Sequence, residues 1–290
     1  MKILVTGVAG RVGRAACEYL GRDHELVGLD QQTSRWTNVV ADVGDRGVLQ
    51  SILPGVDAVV HIAALHAPHV GVLPDSEFQR VNVDATRTLA MLAVENRVRQ
   101  FIFISTTALY GYASTQSGKT AWIDEAVTPR PKTVYHRSKV AAEDFLGELS
   151  AATDLDVTML RMSRCFPELA SLMALYRIHR GVDARDVAQA ISLSLQSDGP
   201  SLRKFVISGT TPFEKSDLEG LCRDTPGVLA RRAPELVEIF HQRQWILPAS
   251  IDRVYSPRLA IQQLGFKPRY GFREVIKCLD EGSPEVLGHD

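Results

Sequence analysis

MKILVTGVAGRVGR, residues Met1 to Arg14, decides how the rest of the chain is read. Ile3, Leu4 and Val5 form an uncharged apolar run, which suits a strand buried on both faces. Gly7, Gly10 and Gly13 follow at GxxGxxG spacing, then Ala15, Ala16 and Leu20 recur at helical spacing before Gly21. Strand, glycine turn and helix together predict the start of a dinucleotide-binding βαβ unit. Glycine lets the backbone approach a pyrophosphate closely, and the helix N-terminus supplies favourable partial charge. Glycines at this spacing also serve plain turns and close helix packing, so the reading needs partners elsewhere.

Composition sets the frame. The chain has 290 residues, 45% hydrophobic and 23% charged, with a net charge of −1. That balance suits a globular protein of one large domain, or a domain with an appendage, and gives no electrostatic footprint for nucleic acid or a membrane surface. Cys17, Cys165, Cys222 and Cys278 are scattered without a CxxC pair, as in a reduced, intracellular protein. The first apolar run is too short for a signal or spanning segment, so the cytoplasm is the expected location. The tail from Glu281 to Asp290 is polar and expected to fray.

Strands alternate with helices up to about residue 160, which predicts an α/β fold with a doubly wound parallel sheet. Glu25–Leu29 reads as the second strand and ends at Asp30, seventeen positions beyond Gly13. A carboxylate there suits the ribose hydroxyls of NAD and repels a 2′-phosphate, although Arg35 lies close by. Asp57–Ile62 is a strand followed by Ala63-Ala64, small enough for a flat cofactor to pass. His61, His66 and His69 have no carboxylate or thiol at ligand spacing, so no metal site is expected. Residues 78–96 read as one helix, and Phe101–Ile104 as a strand running into Ser105-Thr106-Thr107. Hydroxyls at that strand end lie where open α/β sheets bind ligands. Residues 112–130 read as polar and turn-rich. Tyr135 and Lys139 share one helix face, and an ammonium near a phenol of pKa ~10 favours the phenolate needed for proton transfer. Leu155–Leu160 is a sixth strand. Beyond it the pattern is mixed, so residues 1–160 are the expected dinucleotide domain and residues 161–290 mostly a substrate cap, with some elements returning to the sheet.

Taken in order, these pieces resemble the extended short-chain dehydrogenase/reductase family, which includes sugar-nucleotide epimerases and dehydratases. Thr6–Gly13 is similar to its cofactor fingerprint, His61-Ile62-Ala63-Ala64 to its H-x-A-A, and Asn82–Thr86 to its N-x-x-G-T with Ala85 for glycine. Ser105–Gly111 resembles S-S-x-x-x-Y-G, and Leu264–Pro268 resembles L-G-[FWY]-x-P. The resemblance implies a Rossmann fold and NAD, with NADP the weaker alternative. It implies Tyr135 as acid/base, Lys139 as its partner and Thr106 as the hydroxyl orienting the substrate oxygen. It also implies cofactor contacts from Gly7, Ala9, Gly10, Arg11, Val12, Gly13, Asp30, Asp42, Val43, Ala63, Ala64 and Asn82, besides Tyr135 and Lys139. Substrate contacts are expected from Leu65, His66, Ser105, Thr106, Thr107, Arg161 and Arg164.

Departures from the family narrow the reaction. The Asp-Glu pair that follows the catalytic Thr in dehydratases is Thr107-Ala108 here, which argues against dehydration. Arg185-Asp186-Val187-Ala188 comes only about twenty-five residues after Arg161, leaving little chain to wrap a nucleoside diphosphate. Arg161–Glu168 resembles the uronate dehydrogenase branch, where an arginine would pair with a substrate carboxylate, or else Arg161 and Arg164 merely pair within the cap. Residues 209–255 are longer than that branch suggests. The expected activity is hydride transfer between NAD and a small sugar-like or hydroxylated substrate, for example a sugar acid. The rivals are a nucleotide-sugar epimerase and a cofactor-binding regulator without turnover. The family also implies a homodimer through the helices at 78–96 and 133–149.

Overall fold

The computed structural model describes residues 1–115, 118–197, 199 and 201–288. The elements run β1 (Lys2–Thr6), α1 (Arg11–Leu20), β2 (Glu25–Asp30), β3 (Val39–Val40), α2 (Arg46–Ile52), β4 (Ala58–His61), α3 (Asp75–Phe78), α4 (Ala85–Glu95) and β5 (Gln100–Thr106). They continue as β6 (Ala121–Ile123), α5 (Val134–Ala152), β7 (Asp156–Met162), α6 (Ala170–Tyr176), α7 (Ala184–Gln196) and β8 (Leu202–Ile207). The last are α8 (Leu218–Arg223), α9 (Thr225–Arg232), α10 (Pro234–Gln242), β9 (Arg253–Tyr255), α11 (Arg258–Leu264) and α12 (Phe272–Asp280).

Seven parallel strands lie in the order β3-β2-β1-β4-β5-β7-β8. The order reverses beside β1, so a crevice opens at the carboxyl ends of β1 and β4. The middles of the central strands carry apolar side chains on both faces because helices cover both. Ile3, Val5, Ile102 and Ile104 pack with α1 and α7 on one side. Leu4, Val59, Phe101 and Phe103 pack with α2, α4 and α5 on the other. Each such side chain contributes about 1.5–3 kcal/mol relative to exposure.

Past residue 160 the chain divides between sheet and cap. β7 crosses the expected boundary, and α7, β8 and α11 return to the sheet core. A separate apolar cluster joins α6, α8, α9, α10 and α12. β6 pairs in parallel with β9, so the stretch read as turn-rich carries a strand.

Two other expectations need correction. The helix over 78–96 is not uniform: Gln79–Asp84 is a π segment between α3 and α4. The tail is not frayed at 286–287, because Leu287 N donates to Glu168 O at 2.9 Å and Val286 is buried. His289 and Asp290 lie outside the described residues.

Candidate active site

A cleft of about 930 Å³ runs from the glycine turn, past the ends of β1, β4 and β5, to the cap. Gly7 has φ +76°, and a Cβ there would sit 2.7 Å from Ala63 N. A Cβ on Gly13 would lie 2.0 Å from Gly7 O. Side chains at either position would therefore push the turn away from β4 or from α1. No side chain caps α1 at Gly10, and Gly10 to Gly13 line the cleft. An uncapped helix start with its backbone this close to the cleft fits a pyrophosphate.

Asp30 closes the same end. Its carboxylate accepts from Ala9 N and Gln32 N, both at 2.9 Å. Arg35 turns elsewhere: it pairs with Glu18 and stacks over Trp36 at 5.0 Å. Val43, Ala63 and Ala64 line the cleft. Asp42 does not; it accepts from Gly44 N, Gln31 and Arg80. Burial pushes the Asp42 carboxyl up, but these bonds and the Arg80 charge together hold it below its ordinary value.

Asn82 is also off the cleft wall. Its amide spans Leu65, accepting from Leu65 N at 2.8 Å and donating to Leu65 O at 2.9 Å. It also donates to Ser138 Oγ at 3.0 Å, and Ser138 donates to Tyr135 O. The π segment presents Asn82 as a clamp between the loop after β4 and the helix carrying Tyr135. A widened turn of this kind is a common device beside functional sites.

His61 is a buried strut. Its Nδ1 lies 2.8 Å from Thr6 Oγ1 and its Nε2 2.9 Å from Thr86 Oγ1. Thr86 donates to Asn82 O, so Nε2 must carry the proton; Thr6 accepts from Ile62 N and Ala63 N, so it donates to Nδ1. Burial, then the Lys139 charge, hold His61 down at about 3. His66 and His69 face each other at 4.6 Å, and His66 stacks on Phe166. Leu65 and His66 line the cleft. Among the described residues no group of three His, Cys, Asp or Glu side chains is disposed to hold a metal ion.

Thr106, Tyr135 and Lys139 meet at the end of β5. Thr133 caps α5 by accepting from His136 N, which fixes the start of the helix that presents both Tyr135 and Lys139. Burial pushes the Tyr135 phenol up to about 12, opposed by its hydrogen bond with Thr106. Burial pulls the Lys139 ammonium down to about 7, opposed by Glu143. Lys139 Nζ donates to Ile104 O at 2.9 Å. The expected depression of the phenol by Lys139 is absent in this arrangement, because desolvation dominates and the ammonium is turned to that carbonyl.

Arg161 requires a correction. It does not line the cleft: Glu143 holds its guanidinium through Nε at 3.0 Å and Nη2 at 2.6 Å, and its Nη1 donates to Tyr110 Oη at 3.0 Å. Ser105 lines the cleft, but its hydroxyl is spent on Glu143 at 2.6 Å. Glu143 was missed in sequence, although it lies one turn beyond Lys139 and its spacing was readable. Thr107 and Arg164 do line the cleft, with Arg164 paired to Glu168. Arg180, Arg253, Tyr255 and Glu285 also line it, and no local motif marked them.

A profile of the NAD dependent epimerase/dehydratase family matches residues 3–206, and the chain belongs to that family. An undecaprenol-linked N-acetylglucosamine 4-epimerase of Escherichia coli O157:H7 is 32% identical over 57% of this chain and 49% of its own length. The L-arabinose 1-dehydrogenase (NAD(P)(+)) of Haloferax volcanii is 32% identical over 56% of this chain and 66% of its own length. The chain thus spans about half to two thirds of these relatives. A short-chain dehydrogenase/reductase superfamily protein of Agrobacterium tumefaciens, solved with bound NAD, superposes with a TM-score of 0.72 at 19% identity, covering 96% of this chain and 95% of that one.

Proposed function

We propose that this chain is an NAD-dependent oxidoreductase acting on a small sugar-like or hydroxylated substrate. The observation that carries the reading is the gathering of Thr106, Tyr135 and buried Lys139 on the wall of the same cleft as the glycine turn. The turn and the start of α1 would hold the pyrophosphate, Asp30 the adenosine ribose, and Lys139 the nicotinamide ribose. Bound NAD supplies the hydride acceptor at one end of the cleft.

The chain's own residues handle the proton. Thr106 orients the substrate hydroxyl, and Tyr135 Oη takes its proton as the C–H electrons leave the same carbon. In the reverse direction Tyr135 returns that proton to the alkoxide, and Thr106 stabilises the developing charge. Tyr135 must be ionised before it takes that proton, and Lys139, whose ammonium burial pulls down to about 7, gives up a proton readily near neutrality. Ala63 and Ala64 keep the wall low beside the cleft.

Growth of NADH absorbance with a panel of aldoses and sugar acids tests the reading. Epimerisation of a nucleotide sugar without net NADH would replace it by the second reading. That reading keeps some support from the cap helices α8, α9 and α10, which add chain beyond β8. For solution state we propose a homodimer through α4 and α5, supported by Met91, exposed by 47% on α4. Only monomer in sedimentation at micromolar concentration would refute it. The four cysteines are free, which supports a reducing compartment such as the cytoplasm. No helix among the described residues is long and apolar enough to cross a membrane.

A further inference from the structure

The loops that leave β4 and β7 touch each other across the end of the strand between them. β5 lies between β4 and β7 in the sheet, and its last residue, Thr106, pairs with Met162 at the end of β7. Past β4 the chain reaches His66, which opens a 3₁₀ turn over Ala67–His69. Past β7 it reaches Phe166. The His66 and Phe166 rings stack, with centroids 5.5 Å apart and planes 22° apart, and both residues line the cleft. The flanking strands thus send their loops into contact over the strand that carries Thr106.

His69 fixes where His66 sits. His69 Nδ1 accepts from His66 N at 3.1 Å, so that nitrogen is unprotonated and the neutral ring carries its proton on Nε2. The His69 ring stands edge-on to the His66 ring at 4.6 Å. Its backbone amide donates to His66 O at 2.9 Å, and its carbonyl accepts from Val72 N at 3.0 Å and Leu73 N at 2.9 Å. His69 is the hub of the turn, yet it stands outside the cleft lining. A proton added at Nδ1 removes the acceptor of His66 N and sets donor against donor. The charged and titratable groups that face His66 are His69 from its own turn and Lys139 from α5. Arg164 joins the stack from the β7 side, 5.7 Å over the Phe166 ring, with its charge paired to Glu168. Burial, then the His69 charge, hold His66 below its ordinary value against a bond with the Ala64 backbone, and Lys139 adds to the lowering. The stacked ring resists protonation, which leaves the switching to its neighbour.

We infer that His69 is a proton-sensitive latch on the cleft. Neutral, it seats His66 on Phe166 and closes the span across the end of β5. Protonated, it releases the turn, parts the two loops and exposes the reacting end beside Thr106. The latch works whatever reaction the cleft performs.

The test uses the full chain with ring-labelled histidine and phenylalanine. NMR follows the His66–Phe166 ring NOE between about pH 5 and about pH 8, a range that brackets the ordinary histidine value. Phe166→Leu assigns the signal. In wild-type protein the NOE should weaken at least threefold on acidification, in step with the ring-nitrogen shift of His69. In His69→Gln, whose side-chain oxygen can accept from His66 N without titrating, the NOE should persist across the range. A wild-type NOE indifferent to the titration of His69, or the same acid loss in His69→Gln, overturns the latch. If His69→Gln lacks the NOE at every pH, the wild-type titration alone decides. Turnover does not enter the measurement, so its outcome is separate from that of the oxidoreductase reading.

Discussion

Glu143 and Arg161 form a two-pronged ion pair beneath the cleft floor, with side chains only 4% and 5% exposed. The carboxylate also accepts from Ser105, and Lys204 Nζ lies 4.0 Å away. Losing one member strands the other as a buried charge. Arg161→Met should therefore lower stability by about 3–5 kcal/mol, and replacing both residues with apolar ones should recover much of that. Urea unfolding reads both effects. A rise in substrate KM with unchanged stability would instead place Arg161 on the substrate.

Tyr135→Phe should lower turnover by about 10²–10⁴-fold while NAD affinity holds, since only the transferring hydroxyl is lost. Wild-type oxidation should speed up with rising pH, because the phenol that burial pushes up to about 12 must lose its proton to act as base. Stopped-flow NADH formation against pH checks the slope, which Tyr135→Phe should abolish.

Stability should fall on the acid side through two histidines. Burial holds His61 and His179 at about 3, against about 6.5 in the unfolded chain. Between those values the unfolded chain binds protons that the folded one refuses, so each histidine removes about 1.4 kcal/mol per pH unit as pH falls. Lys139 follows the same sign higher up: its buried ammonium sits at about 7 against about 10.4 unfolded, so its contribution rises with pH across that window. Denaturation midpoints from pH 3 to 10 should flatten on the acid side in His61→Gln and on the alkaline side in Lys139→Met.

Asp30→Ala should weaken NAD several-fold and erode discrimination against NADP. It removes both the carboxylate proposed for the ribose and the acceptor of Ala9 N. Fluorescence titration with the two cofactors decides this; equal losses for both would assign Asp30 to the turn alone.

Arg11 Nη2 meets Glu285 at 2.5 Å, tying the tail to the glycine turn. A carboxylate there opposes an incoming pyrophosphate. Glu285→Gln should tighten NAD by about two- to fivefold, an effect that shrinks with added salt. Affinity that falls in the variant would make the tail a support for the cofactor instead.

The sheet and its cofactor end were legible because buried parallel strands read as unbroken apolar runs and glycine spacing records backbone geometry. That Thr106, Tyr135 and Lys139 line one cleft was legible for a related reason: Tyr135 and Lys139 lie on one turn of one helix. Arg161 was misread because its partner, Glu143, is brought to it by packing across β7 and α5. Asn82 was misread because a clamp and a ligand use the same amide. Arg180 and Arg253 left no local signature at all, since their proximity depends on the pairing of Tyr255 with His179 through the backbone.

That pairing has a consequence for how the protein is made. β6 finds its partner β9 only after 132 further residues, with Ala121 beside Arg253. On the ribosome, the sheet through β5 can collapse early, while the loop that follows Thr106 must wait for nearly the whole chain before its second strand exists. Nascent chains would thus complete the glycine turn and the strand ends beside it well before the cap side of the cleft, which is finished last, with the emergence of Tyr255.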